Sequence, residues 1–166
     1  MLKRISIILL LLFSGFILHA GDYLRFVELN AKNGLSQNTV NVVFKDHLGF
    51  VWIGTNDGLN RYDGKNFKVF KKSHSGKNSI GANQITCLTE DTAGNLWIGT
   101  WQFGVSVYFP QADSFFVYHH QRGNKMSLQD NAVAGLYFYT PSLLLIGYSN
   151  GSVDVLNIRT HAVSHL

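Results

Sequence analysis

The chain of 166 residues has one cysteine and two prolines, and only 14% of its residues are charged. A single thiol, Cys87, cannot close an internal disulfide. Set in an apolar strand pattern, it reads as a small buried hydrophobe. The net charge of +4 falls to about +2 once Lys3 and Arg4 are assigned to a leader, and the remaining basic residues are scattered apart from Lys68, Lys71 and Lys72. The dense basic face that nucleic acid requires is therefore lacking. No segment between the strand-like runs has convincing helical periodicity, which argues against alternating strand–helix units. Nucleophile elbow, phosphate loop and dinucleotide fingerprint are all missing. Seven histidines are present. His119 and His120 are adjacent and would face opposite sides of a strand, and His161 and His165 stand four apart at an apparent strand end. No cysteine or acidic cluster joins them, and a closed zinc site needs four converging ligands. No catalytic residue, metal or cofactor is expected.

What is abundant is glycine, sixteen residues, and aromatic side chains, 13% of the chain. That mixture suits short strands joined by tight turns. Residues 1–20 read as a signal peptide, with Lys3 and Arg4 before the apolar stretch Ile5–Leu18 and a small residue, Ala20, for cleavage. The stretch is shorter than the roughly 20 residues of a comfortable span, although retention as an amino-terminal anchor is the alternative. No cysteine follows it, so a lipoprotein is not indicated. No other long apolar run occurs.

The main signal is an internal repeat. Asp46-His47-Leu48-Gly49-Phe50-Val51-Trp52-Ile53-Gly54-Thr55 returns as Asp91-Thr92-Ala93-Gly94-Asn95-Leu96-Trp97-Ile98-Gly99-Thr100, 45 residues later. A third, eroded copy ends in Leu144-Leu145-Ile146-Gly147-Tyr148, 48 residues after the second. A period of about 40–50 residues dense in strand formers marks a propeller blade. The expected fold is all-β: a partial propeller of about three four-stranded antiparallel blades over 22–166, with blades at 34–72, 78–120 and 127–166 and a leading strand at 22–28. Phe50-Val51-Trp52-Ile53 is apolar on both faces, as a strand sandwiched between neighbouring sheets must be. Asp46 and Asp91 are expected to accept backbone hydrogen bonds in their turns, with Gly49 and Gly94 at positive φ. Trp52 and Trp97 should then pack between blades, each burying about 200 Å2. Gly54, Gly99 and Gly147 leave room where a neighbour comes close. Asn38, Asn83 and Asn131 recur just ahead of the inner strands and read as a shared cap. The third copy has Leu145 in the Trp place and Thr140-Pro141-Ser142 for the turn, so its blade should be the least regular.

Gly34-Leu35-Ser36-Gln37-Asn38, followed by Phe50 to Gly64 (FVWIGTNDGLNRYDG), closely resembles the two-component regulator propeller repeat. The resemblance extends over residues 23–166, strong in two copies and weak in the third. In that family such blades build the periplasmic sensor of hybrid histidine kinases, often of Bacteroidetes. It implies export, inner-membrane anchoring of the full-length protein, further blades, a kinase portion and oligosaccharide cues for transcriptional control of polysaccharide utilisation. On this reading the chain is the amino-terminal piece of such a sensor, and the kinase belongs to the remainder. Three blades do not close a ring, so an open edge after the third is expected to aggregate or to pair, for instance as a homodimer.

The loops between second and third strands carry the best binding candidates: Asn56, Asp57, Trp101, Gln102, Ser149 and Asn150. Amides and hydroxyls beside an aromatic suit a sugar, which offers an apolar face and hydroxyl edges. Trp101 is the sharpest choice against interblade packing, a role Phe103 is equally able to fill. Arg61 is a candidate for an acidic glycan, against pairing with a turn aspartate. Asp57 and Asp63 read as turn caps rather than the paired acids of a glycosidase. A propeller lyase or glycosidase, or a purely structural or protein-interaction propeller, are the alternative functions.

Overall fold

The computed structural model describes residues 26–74 and 78–166. The signal-peptide reading, and most of the leading strand expected at 22–28, fall outside the described residues. Phe26, Val27 and Glu28 belong to no strand. Twelve strands follow in chain order: β1 (Val40–Lys45), β2 (Val51–Thr55), β3 (Gly58–Tyr62), β4 (Phe67–Phe70), β5 (Ile85–Glu90), β6 (Leu96–Thr100), β7 (Val105–Phe109), β8 (Ser114–Tyr118), β9 (Val133–Thr140), β10 (Leu143–Tyr148), β11 (Val153–Asn157) and β12 (Val163–His165). They form three four-stranded antiparallel meanders, β1–β4, β5–β8 and β9–β12. The only helical elements among the described residues are two 3-10 turns, Ala31–Asn33 and Pro110–Ala112. No helix of the described residues is long and apolar enough to cross a membrane.

The repeated aspartates build the turn between the first two strands of a blade. Asp46 Oδ1 accepts from the N–H groups of Leu48 and Phe50, and its Oδ2 takes the Trp52 indole N–H at 2.7 Å. Asp91 does the same for Ala93, Asn95 and the Trp97 indole, the last at 3.0 Å. The turn also needs Gly49 and Gly94 at φ +93° and +81°, a region in which a Cβ is strained. The indole bond makes each aspartate an orienter of the core tryptophan as well as a turn cap. In the third blade Thr140 Oγ1 takes the aspartate's place, accepting from Ser142 N–H at 3.3 Å and Leu143 N–H at 3.1 Å. The β9–β10 ladder accordingly has two register shifts, where β1–β2 and β5–β6 have one each.

The three asparagines cap as expected, and on the same atom. Oδ1 of Asn38, Asn83 and Asn131 accepts the backbone N–H of Ala31, Lys72 and His120. The last of these bonds draws the chain off the ladder after Tyr118. His119 and His120 therefore lie beyond β8 and not on two faces of a strand. His161 likewise sits in the β11–β12 turn at φ +60°, a turn closed by Asn157 Oδ1 on the N–H groups of Arg159 and Thr160.

Burial lies between blades. Trp52 and Phe70 of the first blade cluster with Leu88, Leu96, Ile98 and Tyr108 of the second. Trp97, Val105 and Val107 of the second cluster with Val133, Leu144, Ile146 and Leu156 of the third. Each joint has a knob and a notch. Ile85, at the head of β5, reaches into the space over Gly54, and Val133, at the head of β9, into that over Gly99. A Cβ at Gly54 would stand 2.6 Å from Ile85 Cγ2 and 2.7 Å from Val42 Cγ1. At Gly99 it would meet Cys87 Sγ and stand 2.9 Å from Val133 Cγ1. Gly54→Ala and Gly99→Ala are each expected to cost about 1–3 kcal/mol, the range for overpacking a filled core. Chemical denaturation of the two variants checks this, and wild-type midpoints would show the notches to be unfilled. Burial around Cys87 also pushes its thiol up to about 11, so it stays protonated at neutral pH and acts as a packing atom.

Candidate functional site

The β2–β3, β6–β7 and β10–β11 loops emerge at one end of the blades. In each, the first loop residue donates its N–H to the carbonyl just ahead of the inner strand: Asn56 to Thr39, Trp101 to Gln84 and Ser149 to Ala132. Adjacent blades are also tied at this end, Gly58 N–H to Asn83 O at 2.8 Å and Gly104 N–H to Asn131 O at 3.0 Å. These bonds hold the three loops in one row.

Within that row the polar groups are partly engaged. Asn56 Oδ1 accepts from Asn41 Nδ2, and Asp57 accepts from Asn83 Nδ2 and from Lys71 Nζ at 2.6 Å. Asn150 Nδ2 donates to Asp130 Oδ2. Gln102 and Ser149 are exposed. Trp101 is 43% exposed. Its neighbour Phe103 does the packing instead, stacked on His119 at 5.0 Å and capped by Lys72 Nζ at 4.7 Å. The row thus carries an open indole flanked by amide and hydroxyl groups.

Arg61 is not in this row. It lies opposite Trp52 in the β2–β3 ladder, three residues along from Thr55 and hence about 10 Å down the strand. Its guanidinium stands over the Phe50 ring at 4.5 Å and the Trp52 ring at 5.8 Å, where it shields the far end of the first joint. Asp63 is also remote from the row. Its Oδ1 accepts the N–H groups of Lys65 and Asn66, and those bonds, with Asn66 first, hold its carboxyl below the usual range. Among the described residues no group of three or more His, Cys, Asp or Glu converges as a metal set would.

Three buried polar residues form a second recurrent feature. Asn60, Ser106 and Asp154 are fully buried and lie opposite Ile53, Ile98 and Ile146 in their ladders. Each accepts the N–H of the segment that leads into the blade: Ser36, Gly81 and Gln129. The trace of it in the sequence is a polar residue opposite the repeat's isoleucine in each third strand, and the three side chains differ, so no residue type repeats there.

Residues 34–57 and 79–102 match the family described as two component regulator propeller. These segments span the approach to the inner strand and the first two strands of the first and second blades. Histidine kinase P4 of Formosa agariphila is 40% identical over 48 residues, 29% of this chain and 4% of that protein. Two solved structures from B. thetaiotaomicron share the fold. The extracellular domain of the hybrid two component system BT3049 aligns with a TM-score of 0.78 and 28% identity, over 84% of this chain and 20% of that one. The extracellular domain of the one component system BT4673 aligns with a TM-score of 0.64 and 25% identity, over 80% and 19%. The chain thus spans a fifth or less of the length of these relatives. The chain is thus all-β, and two of its segments, which carry the repeated turn and the interblade tryptophans, are similar to the two component regulator propeller repeat.

Proposed function

We propose that this chain is part of the periplasmic sensor propeller of a hybrid two-component system, and that its loop row contributes to an oligosaccharide site. The region itself binds and does no chemistry. Signalling belongs to the kinase portion of the whole sensor. Relatives named as extracellular domains of such systems support the sensor reading. The observation that carries the ligand reading is Trp101, an indole left in the open in a row where Phe103 has taken over packing. An aromatic plate beside Gln102, Ser149 and the Asn56–Asp57 pair presents an apolar face and hydrogen-bonding edges together, which matches a pyranose ring.

Calorimetric titration with a panel of neutral and acidic oligosaccharides tests the reading. The expected result is binding of at least one member and a loss of tenfold or more in affinity with Trp101→Ala, about 1.4 kcal/mol or above. Trp101→Phe should fall between. The exposed position predicts that neither substitution moves the melting temperature appreciably. Unchanged affinity in Trp101→Ala would remove the residue from the site, and a panel without any binder would remove the oligosaccharide.

A further inference from the structure

We infer that the joint between the second and third blades holds a binding cleft for a small organic carboxylate, at the end of the strands opposite the loop row. Both walls belong to the faces that these two blades turn to each other. The first joint shows what fills the same place there. Phe50 and Asn95 are equivalent, each two residues before the tryptophan of its blade. Arg61 and Val107 are equivalent as the ladder partners of Trp52 and Trp97. Across the joint, the paired Tyr108 and Phe115 of the second blade correspond to the paired Leu156 and Val163 of the third. The second joint has the smaller residue at all four places. In the first, Arg61 covers the Phe50 and Trp52 rings, and Tyr108 lies 5.7 Å from Trp52. In the second, a cleft of about 260 Å3 is left beside Trp97.

Three stacked rings form one side of the cleft. Tyr118 lies on Trp97 at 5.8 Å, and His161 lies on Tyr118 at 6.0 Å. A hydrogen bond of 2.5 Å between the Tyr118 hydroxyl and His161 Nδ1 fixes the outer two. Val107, Phe109, Pro141 and Ile158 complete the apolar lining. A molecule of one ring with a small substituent suits that volume and those surfaces.

Arg159 supplies the charged contact. It sits on the β11–β12 turn, where Asn157 Oδ1 accepts its backbone N–H, and it lines the cleft with its side chain exposed. Its guanidinium makes no ion pair among the described residues. The planar fork is therefore open to a carboxylate, which it matches with two parallel hydrogen bonds. Asp91 is the one acid in the described lining. Its Oδ1 accepts the N–H groups of Ala93 and Asn95, and its Oδ2 accepts Asn95 Nδ2 and the Trp97 indole. Four donors hold that charge within the turn, which leaves Arg159 as the available ionic contact. The fitting occupant thus has an apolar body and one anionic end. The loop row lies at the other end of the strands, so this cleft is separate from the Trp101 site.

Titration with benzoate, followed by proton–nitrogen correlation NMR of the chain, tests this. Saturable shifts are expected at the Trp97 indole N–H and at the Arg159 backbone N–H, with the Trp101 indole unmoved. Benzyl alcohol has the ring without the charge and should bind about fivefold more weakly, the effect of one net hydrogen bond. Acetate has the charge without the ring and should not saturate. Arg159→Gln should weaken benzoate about fivefold, and Arg159→Lys should fall between, because a point charge replaces the fork. Asn95→Phe fills the cleft with the residue that the first blade has at that place and should abolish binding. Asp46 holds its turn beside a phenylalanine, and near-ultraviolet circular dichroism of Trp52 and Trp97 reports that the joints persist. Trp101→Ala should leave benzoate affinity unchanged, whatever it does to oligosaccharides. Absence of saturable shifts at Trp97, equal binding of benzyl alcohol, or binding that survives either Arg159→Gln or Asn95→Phe would each overturn the inference.

Discussion

Trp97→Ala is expected to lower stability by about 3–5 kcal/mol, the cost of emptying a large aromatic site in a packed core. Trp97 is 3% exposed. Its ring stacks on Tyr118 at 5.8 Å and meets Phe138 of the third blade edge-on at 5.9 Å. Its indole N–H is held by Asp91, so truncation also leaves a turn carboxylate short of a partner. Trp52→Ala should do the same at the first joint, where the ring stacks on Phe70 and contacts Tyr108, both at 5.7 Å. Among the described residues each blade packs against its neighbours, so each substitution uncouples one joint, and the two losses should be close to additive. Trp97→Phe separates the contributions: it keeps most of the packing, loses the bond to Asp91, and is expected to cost about 1–3 kcal/mol. Equilibrium unfolding in urea measures all of these. A Trp97→Ala variant within 1 kcal/mol of wild type would mean that the indole does not couple the blades.

That contrast between Trp97 and Trp101 bears on what a sequence can reveal. The repeat places Trp52 and Trp97 at the same point in a period, and only a stack of sheets gives one residue type the same buried place twice. The fold, the turn aspartates and the asparagine caps were legible for that reason. Trp101 follows the second copy alone, and no period fixes its surroundings. Its exposure is set by three-dimensional neighbours, with Phe103 beside it stacked on His119 and covered by Lys72. Arg61 was equally opaque. Its distance from Asn56 along the sequence is small, but the hairpin carries it about 10 Å down the blade, onto the Phe50 and Trp52 rings. The polar anchors Asn60, Ser106 and Asp154 repeat a geometry without repeating a residue, so pattern matching on side-chain identity passes over them. The knobs Ile85 and Val133 were visible as apolar strand residues. Their pairing with glycine notches across joints needed coordinates.

Asp154→Ala is expected to be as damaging as loss of a core tryptophan, about 3–5 kcal/mol, because it removes the fully buried acceptor on which the cluster converges. Asp154 accepts from the Gln129 backbone N–H at 3.0 Å, from Gln129 Nε2 at 2.7 Å, from the Tyr148 hydroxyl at 2.6 Å and from the His165 ring at 2.6 Å. Burial first, and then Asp154, push the Tyr148 hydroxyl far above its ordinary value, so it remains a neutral donor at any accessible pH. His165 is different. The bond to Asp154, helped by the Lys125 carbonyl, raises its pKa above 6.5, so folding favours the protonated ring. A group raised in this way stabilises fully below its unfolded value of about 6.5, and that stability is lost as pH rises through the folded value. The melting temperature of the wild-type chain should therefore fall as pH climbs from about 6.5. The His47–Glu90 pair at the first joint, 2.6 Å apart and with His47 likewise raised by its partner, adds to the fall in the same direction. Its histidine is exposed, so that share should shrink in high salt, whereas the share from His165 on a buried carboxylate should persist. Asp154→Asn keeps the shape that Asn60 uses in the first blade and should cost less than the alanine variant, while flattening the salt-resistant part of the pH dependence. His165→Gln should flatten it too. If Asp154→Asn retains the wild-type slope at high salt, the charge on Asp154 is not what holds β12 to the third blade.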